Sequence, residues 1–467
     1  MNKISIKTCT ISLSCFFAFA LLTSCSDEKS SVDTVIESPV QTSHADTILT
    51  GAKIYTLNPK QTWAEAVAIK DGKILAVGST TDVEQHKGDN TKVMTFDGGM
   101  ILPGFHDAHT HIIYSGLEIT GCPLHELRSV EAILNKLLGC AESSKEGWVV
   151  GAGWLLSLFP PEGKPDKALL DKIIPDRPVY VSGIDGHSGW ANSMALQVAG
   201  ITSETPDPEG GVIEKDPSSG EPVGTLRESA MALVENVIPA RTHEDFIEAA
   251  EYGVQLSNSV GITSMIDASV GESELITYAE LDKNDALNAR LITSIEYGTT
   301  FMSASSDPDV TVAKWKDYQG HRLRTRSIKL FIDGVLEGET AALIEPYIGE
   351  RQHHGMLNFE QDRLNAIVSK ADADNIQVHM HAIGDAAVRA GLDAFEYARI
   401  QNGSKDNRHH ISHLQLIHPD DIPRFKALDV IANFQALWAI PDDYIMKLNL
   451  PVVGQERVDR MYPIGSM

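Results

Sequence analysis

The sequence predicts an α/β fold built on parallel strands, with a small β-structure ahead of it. From residue 100 onward, apolar runs of strand length alternate with helical stretches, which is typical of a parallel α/β architecture. Residues 46–99 instead contain short runs typical of strands, and Asp71-Gly72 between two of them is a strong hairpin signal. With 467 residues, the chain is long enough for one large domain and a smaller one.

The first 45 residues are predicted to be a targeting segment followed by a tether. Two lysines within the first seven residues precede an apolar stretch that is short for a membrane span and ends in Leu-Thr-Ser-Cys at 22–25, which resembles a bacterial lipobox. We therefore expect a lipoprotein signal peptide over 1–24, lipidation of Cys25 and a solvated tether over 25–45. The alternative is a signal peptide that is cut elsewhere. Ser26 favours a lipid-anchored location in the bacterial cell envelope, on the outer membrane facing the periplasm.

Seven strand-like runs follow the tether and the small β-structure, and several of them end in His, Lys or Asp. They are Met100–Phe105, Ile262–Asp267, Arg290–Ile295, Ser327–Asp333, Ile376–His381, His409–Leu414 and Val430–Phe434. The long stretch 112–260 between the first and second runs is predicted to be an insertion that covers the site. A closed (β/α)8 barrel needs eight strands, so the count is one short.

The sharpest chemical signal is PGFHDAHTH at residues 103–111. In a strand, residues two apart point to the same side, so His109 and His111 can chelate one metal ion. The carboxyl end of a barrel strand is also where barrel active sites lie. A single His-x-His pair is weak evidence, because surface or packed histidines produce many such matches.

Three further positions strengthen this interpretation. Lys329 lies among aliphatic residues in the run 327–333, whereas His381 and His413 lie at the ends of two later runs. Taken singly, they could be an ion-paired lysine and two hydrogen-bonded core histidines. A buried lysine with a lowered pKa could instead take up carbon dioxide and become a carbamate, an anionic ligand able to bridge two metals.

The order of these residues resembles the amidohydrolase superfamily, and more closely its YtcJ-like branch, amidohydrolase family 3. Five motifs carry the resemblance: PGFHDAHTH at 103–111, DGHSGWANSMAL at 185–196, IKLFIDGVLEGETAAL at 328–343, HAIGDAAV at 381–388 and HISHLQLIHPDD at 410–421. It implies a distorted (β/α)8 TIM-type barrel over 100–467 and a small β-sandwich, whose N-terminal part would be 46–99. It also implies a metal site formed by His109, His111, carboxylated Lys329, His381 and His413.

The resemblance also suggests roles for residues around the metal. His187 is expected to face the substrate, although it could be an ordinary loop histidine. Asp107 either orients the histidine pair or caps the following turn. Asp333 and Asp385 either support the ligands from behind or only hold backbone turns.

One departure from the family pattern is serious. The family's catalytic aspartate, which acts as general base, follows the eighth strand, whereas this sequence stops at Met467 before such a strand. We therefore expect that strand eight, the C-terminal part of the sandwich and the general base are missing, through an incomplete sequence or a truncated gene.

The expected function is that of a metal-dependent hydrolase that acts on carbon–nitrogen bonds outside peptides, such as N-acyl or formyl amides, through metal-activated water. The cofactor would be one or two divalent ions, expected to be zinc. The alternatives are a non-catalytic, metal-containing regulator or binding protein and an inactive truncated remnant on the same scaffold. A phosphotriesterase-like or deacetylase activity is a third possibility, because fold alone does not set the leaving group.

Composition and charge limit the possible partners. The net charge of −25 argues against nucleic acid as the main partner, since phosphate binding needs a basic surface. The expected partner is a small-molecule amide-type substrate, with membrane contact only through the lipid anchor and no prediction of oligomeric state. Besides the anchor, Cys122 and Cys140 remain after processing. The sequence leaves open whether they pair or stay separate thiols.

Overall fold

The computed structural model describes residues 43–143, 147–160, 163–208, 210–298, 308–349 and 352–467. The predicted signal peptide, Cys25 and most of the predicted tether lie outside the described residues. Within those ranges, no helix is both long and apolar enough to cross a membrane. The chain divides into two units, Met1–Pro103 and Gly104–Met467.

The first unit is a five-stranded sheet with one short helix. Its elements are β1 (Thr47–Tyr55), β2 (Trp63–Lys70), β3 (Lys73–Gly78), α1 (Thr80–Glu84), β4 (Lys92–Thr95) and β5 (Met100–Ile101). Strands β2 and β3 form the predicted hairpin, and Asp71 and Gly72 both have positive φ, as the tight turn between twisted strands requires. Strand β1 pairs with β2 on one side and with β4 and β5 on the other.

The predicted first barrel strand, Met100–Phe105, is wrong in its position. Residues Met100–Ile101 pair with β1 of the first unit, and the barrel strand starts only at Phe105. Pro103 and Gly104 separate the two, because proline cannot donate to a strand ladder and glycine weakens a strand. The displacement brings His109 inside the barrel strand, with His111 directly after it.

The second unit alternates strands with helices. Its strands are β6 (Phe105–Thr110), β7 (Val149–Trp154), β8 (Val179–Gly183), β9 (Ser188–Ala191), β10 (Gly211–Lys215), β11 (Pro222–Glu228), β12 (Ile262–Val270), β13 (Arg290–Glu296), β14 (Leu323–Phe331), β15 (Gln377–Ala382), β16 (His410–His413) and β17 (Ile431–Asn433). Its α-helices are α2 (Ile112–Thr120), α3 (Val130–Ser143), α4 (Lys167–Ile173), α5 (Ser193–Val198), α6 (Ala232–Glu235), α7 (His243–Ser259), α8 (Glu272–Lys283), α9 (Pro308–Ala313), α10 (Gln361–Ala373), α11 (Asp385–Asn402), α12 (Ile422–Leu428), α13 (Leu450–Val453) and α14 (Gln455–Val458). Short 3₁₀ turns and a π-helix, Tyr444–Asn449, complete it.

Seven strands of this unit form a nearly closed parallel barrel. Their order is β17-β16-β15-β14-β13-β12-β6, and every neighbouring pair is parallel. The two edge strands approach each other, since Asn433 Nδ2 of β17 donates to the Ala108 carbonyl of β6 at 3.2 Å. This confirms the predicted parallel α/β barrel. Helices α10 and α11 cover one side with buried apolar residues such as Leu364, Val388 and Phe395.

A second sheet lies within the predicted insertion, residues 112–260. Its order is β10-β11-β9-β8-β7, and it packs around the fully buried Trp154 and Trp190. At the two ends of the insertion, α2 and α7 pack closely against each other. The distance is so short that a Cβ on Gly116 would lie 2.3 Å from the Ala249 carbonyl oxygen, so only glycine fits there. A disulfide joins Cys122 and Cys140. The structure thus resolves the pairing that the sequence left open.

We predict that removal of this disulfide destabilises the insertion without unfolding the barrel. The two cysteines are 18 residues apart, and a cross-link of that span stabilises a fold by about 3 kcal/mol through the entropy of the unfolded chain. The Cys122→Ala/Cys140→Ala variant should therefore unfold several degrees below the wild type in calorimetry under non-reducing conditions. Dithiothreitol should lower the wild-type midpoint and leave the variant unaffected. Equal midpoints for the two proteins would contradict a stabilising disulfide.

Candidate active site

The carboxyl ends of the barrel strands bring the five predicted metal ligands together. His109 and His111 come from the end of β6, Lys329 from β14, His381 from β15 and His413 from β16. The ring centres of His109 and His413 lie 4.6 Å apart, those of His381 and His413 4.5 Å, and those of His109 and His111 5.1 Å. All five side chains line one cavity of about 350 Å³.

Burial disfavours the charged forms of these side chains. It lowers the pKa of Lys329 to about 7 and that of His111 to about 3, the charge of Lys329 adding to the effect at His111. Burial likewise lowers the pKa values of His109, His381 and His413. Neutral imidazole is the form that ligates a metal ion, and a neutral amine is the form that adds carbon dioxide.

The hydrogen bonds of the cluster suit ligand histidines. His381 Nε2 lies 3.1 Å from the Gly334 carbonyl oxygen, and His413 Nδ1 lies 2.6 Å from Gln435 Oε1. Such contacts fix a ring so that its other nitrogen can face a metal. His111 Nδ1 and Lys329 Nζ are buried without any hydrogen-bond partner. Polar atoms are seldom buried unsatisfied, so both indicate a missing ligand.

The ring orientations, by contrast, do not direct the donor atoms toward one common point. In the described part of the chain, no group of three or more His, Cys, Asp or Glu side chains is arranged to hold a metal ion as it stands. The rings of His109 and His111 meet edge to face at 82°, and those of His109 and His413 at 70°. The residue types and their environment fit a metal ion, and side-chain rotation would have to complete the site.

His187 reaches this cluster from the insertion, as the sequence predicted for a substrate-facing residue. Its ring centre lies 5.0 Å from that of His381, and its Nδ1 lies 2.7 Å from Glu228 Oε2. The other oxygen of Glu228 accepts a hydrogen bond from Thr340 at 2.6 Å. Burial lowers the pKa of His187, but the charge and the hydrogen bond of Glu228 outweigh this effect and raise it.

The predicted aspartates hold the backbone and do not touch the imidazoles directly. Asp107 accepts from the His109 backbone at 3.1 Å, which is the turn-capping alternative. Asp333 accepts from three backbone amides, those of Ala342, Ile383 and Gly384 at 2.8–3.0 Å, and lies 3.8 Å from His381 Nε2. Asp385 accepts from the Ile344 amide at 2.8 Å. The backbone-turn interpretation therefore describes their contacts best.

Several residues of the site escaped the sequence analysis. Glu228 and Gln435 each orient a site histidine, but they lie 41 and 22 residues away from it in the chain. Glu228 has a φ of 52°, a strained value for a glutamate. His413 and Leu414 also have positive φ, 76° and 55°, directly at the end of β16. Such backbone strain often occurs at functional sites, but no sequence motif predicts it.

Comparison with known proteins assigns the fold and the family. A model described as "Amidohydrolase family" matches residues 93–467. The exoenzymes regulatory protein AepA of Pectobacterium carotovorum subsp. carotovorum is 30% identical over 441 residues, covering 91% of this chain and 92% of AepA. An N-substituted formamide deformylase of Arthrobacter pascens is 27% identical over 371 residues, covering 77% and 67%.

A solved structure gives the same picture. An uncharacterized metal-dependent hydrolase from Pyrococcus horikoshii OT3 superposes with a TM-score of 0.67 at 25% identity, covering 90% of this chain and 80% of the other. The family match, over residues 93–467, spans the whole described barrel, including all five residues of the candidate site. The resemblance drawn from the five sequence motifs is therefore confirmed, and the chain belongs to the amidohydrolase family.

Proposed function

We propose that this protein is a metal-dependent hydrolase that cleaves carbon–nitrogen bonds outside peptides, such as those of N-acyl or N-formyl amides. One observation carries the proposal: four buried imidazoles and a buried lysine without a hydrogen-bond partner line one cavity at the carboxyl end of a parallel barrel. Membership of the amidohydrolase family supports the reaction type. The similarity to a formamide deformylase supports the bond class.

In this proposal, His109, His111, His381 and His413 hold one or two divalent ions, zinc being the best match to imidazole donors. When bound, zinc lowers the pKa of a water molecule toward neutrality and polarises a carbonyl. Lys329 contributes a carbamate. Its neutral Nζ forms a bond to the carbon of carbon dioxide and loses a proton. The resulting anion would bind the metal, at a position where Lys329 Nζ has no hydrogen-bond partner.

The other residues of the cavity bind and orient the substrate. Glu228 fixes the ring of His187 beside His381, at the place where a substrate carbonyl would lie. A hydrogen bond from His187 to that carbonyl oxygen strengthens as negative charge develops on it. Asp333 supports the loops after β14 and β15 through their backbone amides, which keeps His381 in position.

A regulator on the same scaffold is the second candidate, because AepA, similar along nearly its whole length, is named a regulatory protein. A cavity that encloses uncharged histidines and a lysine is more readily explained by catalysis than by a binding role alone. The two candidates differ in turnover, which the variants below measure.

We further propose that the protein is a lipoprotein of the bacterial cell envelope, anchored at Cys25 in the outer membrane and facing the periplasm. The lipobox-like residues 22–25 support this, and so does the disulfide between Cys122 and Cys140, since disulfides persist in oxidising compartments. The proposed partner is a small amide substrate, with no nucleic acid and no membrane contact besides the lipid.

The first test is the Lys329→Met variant, which keeps the length of the side chain but cannot form a carbamate. We expect kcat/KM for formamides to fall by more than about a hundredfold and bound zinc to fall in elemental analysis, because an anionic ligand is lost. The variant should fold, since methionine removes a buried amine without a partner. Lys314→Met, at an exposed lysine, is the matched control. Full zinc content and full activity in Lys329→Met would refute the carbamate.

A second test separates His187 from the metal ligands. Glu228→Gln removes the charge that orients His187, so we expect kcat to fall about ten- to a hundredfold while zinc content stays unchanged. Glu280→Gln is a close control, because Glu280 contacts His243 at 2.8 Å in a similar pair on the surface. Equal loss of activity in both variants, or loss of zinc in Glu228→Gln, would argue against this role.

The anchor is tested by Cys25→Ser in a bacterial host with an outer membrane. We expect the wild type in the membrane fraction, released only by detergent, and the variant in the soluble fraction. Cys15→Ser, within the apolar stretch, should behave like the wild type. Membrane association of Cys25→Ser in the same amount as the wild type would overturn the lipoprotein assignment.

A further inference from the structure

The cavity wall beyond the histidines and Lys329 is acidic and aromatic. Its carboxylates are Glu118, Asp185, Glu337 and Asp442. Among the described lining residues, Lys329 is the only lysine and no arginine is present. A small molecule that enters this cavity therefore meets negative charge on the wall that the proposed metal ligands do not occupy.

Two of these carboxylates have hydrogen-bond or ion-pair partners within the protein that explain their positions. Glu118 accepts from Ser182 at 3.0 Å and lies 3.3 Å from His125 Nε2. Asp442 accepts from the backbone amides of Tyr444 and Ile445 and so caps the π-helix.

The contacts of Asp185 and Glu337 explain less well why these two carboxylates line the cavity. Asp185 accepts from Ser188 at 3.0 Å through one oxygen, but the other oxygen is buried without a hydrogen-bond partner. Glu337 interacts unfavourably with the charge of Asp185, which adds to burial in raising its pKa to about 7. His187 and Arg227 are the nearby basic groups that favour the charged forms of both carboxyls. The Nδ1 of His187 faces Glu228, and the described hydrogen bonds of Arg227 go to Ser188 and to the Gly163 carbonyl, with Glu214 at 3.5 Å.

A third acceptor that lines the same cavity is independent of these charges. Asn449 ends the π-helix Tyr444–Asn449, is 2% exposed and has an Oδ1 with no hydrogen-bond partner. An unsatisfied buried amide oxygen costs roughly 1–3 kcal/mol, so its retention on a cavity wall indicates a donor supplied by a ligand. π-Helices are rare and often occur at functional sites.

We propose that Asp185, Glu337 and Asn449 form a subsite for a protonated amino group, so that the substrates are N-acyl or N-formyl derivatives of compounds carrying a second, cationic amine. An ammonium group has three donors and no acceptor, which suits the unsatisfied oxygens of Asp185 and Asn449 and the carboxylate of Glu337. The ring of Tyr444 lines the same cavity and adds an aromatic contact that favours a cation. The substrate class rests on the hydrolase proposed above, whereas the ammonium subsite stands on the cavity alone.

Isothermal titration of the full-length protein tests the subsite without turnover. We expect n-pentylammonium to bind at least about tenfold more tightly than 1-pentanol, which has the same chain without the charge. Asp185→Asn and Glu337→Gln should abolish this preference. Asp443→Asn, which removes an exposed carboxylate paired with Lys447, is the matched control and should keep it. Equal binding of the two compounds by the wild type would overturn the proposal, even if a variant failed to fold.

Turnover then tests the substrate class with an isosteric pair of formamides. N-formylpentane-1,5-diamine ends in an ammonium group where N-formylhexylamine ends in a methyl group. We expect kcat/KM to be at least about tenfold higher for the former, and the ratio to approach one in Asp185→Asn. Hydrolysis of both at equal rates would refute the ammonium subsite and leave the hydrolase assignment standing. Selective ammonium binding with no hydrolysis of either would refute the hydrolase and support the subsite.

Discussion

The site depends on burying a lysine and four histidines together, which disfavours the charged form of each. Lys329 is 0% exposed and its Nζ has no hydrogen-bond partner, while its charge would lower the pKa values of His109, His111 and His413 further. Such a cluster can exist only as neutral groups or with a bound charge that compensates them. The proposed metal ion and carbamate both require the neutral forms that burial favours, and the negative charge of the carbamate would offset part of the positive charge of the metal.

Three parts of the chain contribute different residues to this buried site. The parallel barrel fixes the positions of the ligands, because the carboxyl ends of adjacent strands open into one cavity. The insertion adds His187 and holds its ring through Glu228. The segment after β16 adds Gln435 beside His413 and the π-helix that carries Asn449. The proposed metal ligands thus lie on or directly after barrel strands, whereas the proposed substrate-binding walls come from elements outside them.

The sequence predicted the parts that follow from periodicity and residue chemistry. The period of two predicted that His109 and His111 lie together, and the structure places them close to each other although His111 follows β6. The lysine among aliphatic residues predicted a buried amine, and Lys329 is buried. The first barrel strand was misplaced, because only the pairing with β1 shows that Met100–Ile101 belongs to the other sheet. Glu228 was missed because its contact with His187 is a tertiary one, between distant residues. The pairing of Cys122 with Cys140 stayed open for the same reason, since it depends on a distance in the folded chain.

Anomalous X-ray diffraction from crystals of the zinc-loaded protein would show whether these five side chains hold a metal ion. Data collected on both sides of the zinc absorption edge should show one or two anomalous peaks among His109, His111, His381 and His413, with extra density on Lys329 Nζ for the carbamate. A cavity without an anomalous peak, in crystals whose protein contains stoichiometric zinc elsewhere, would show that these side chains do not bind the metal ion.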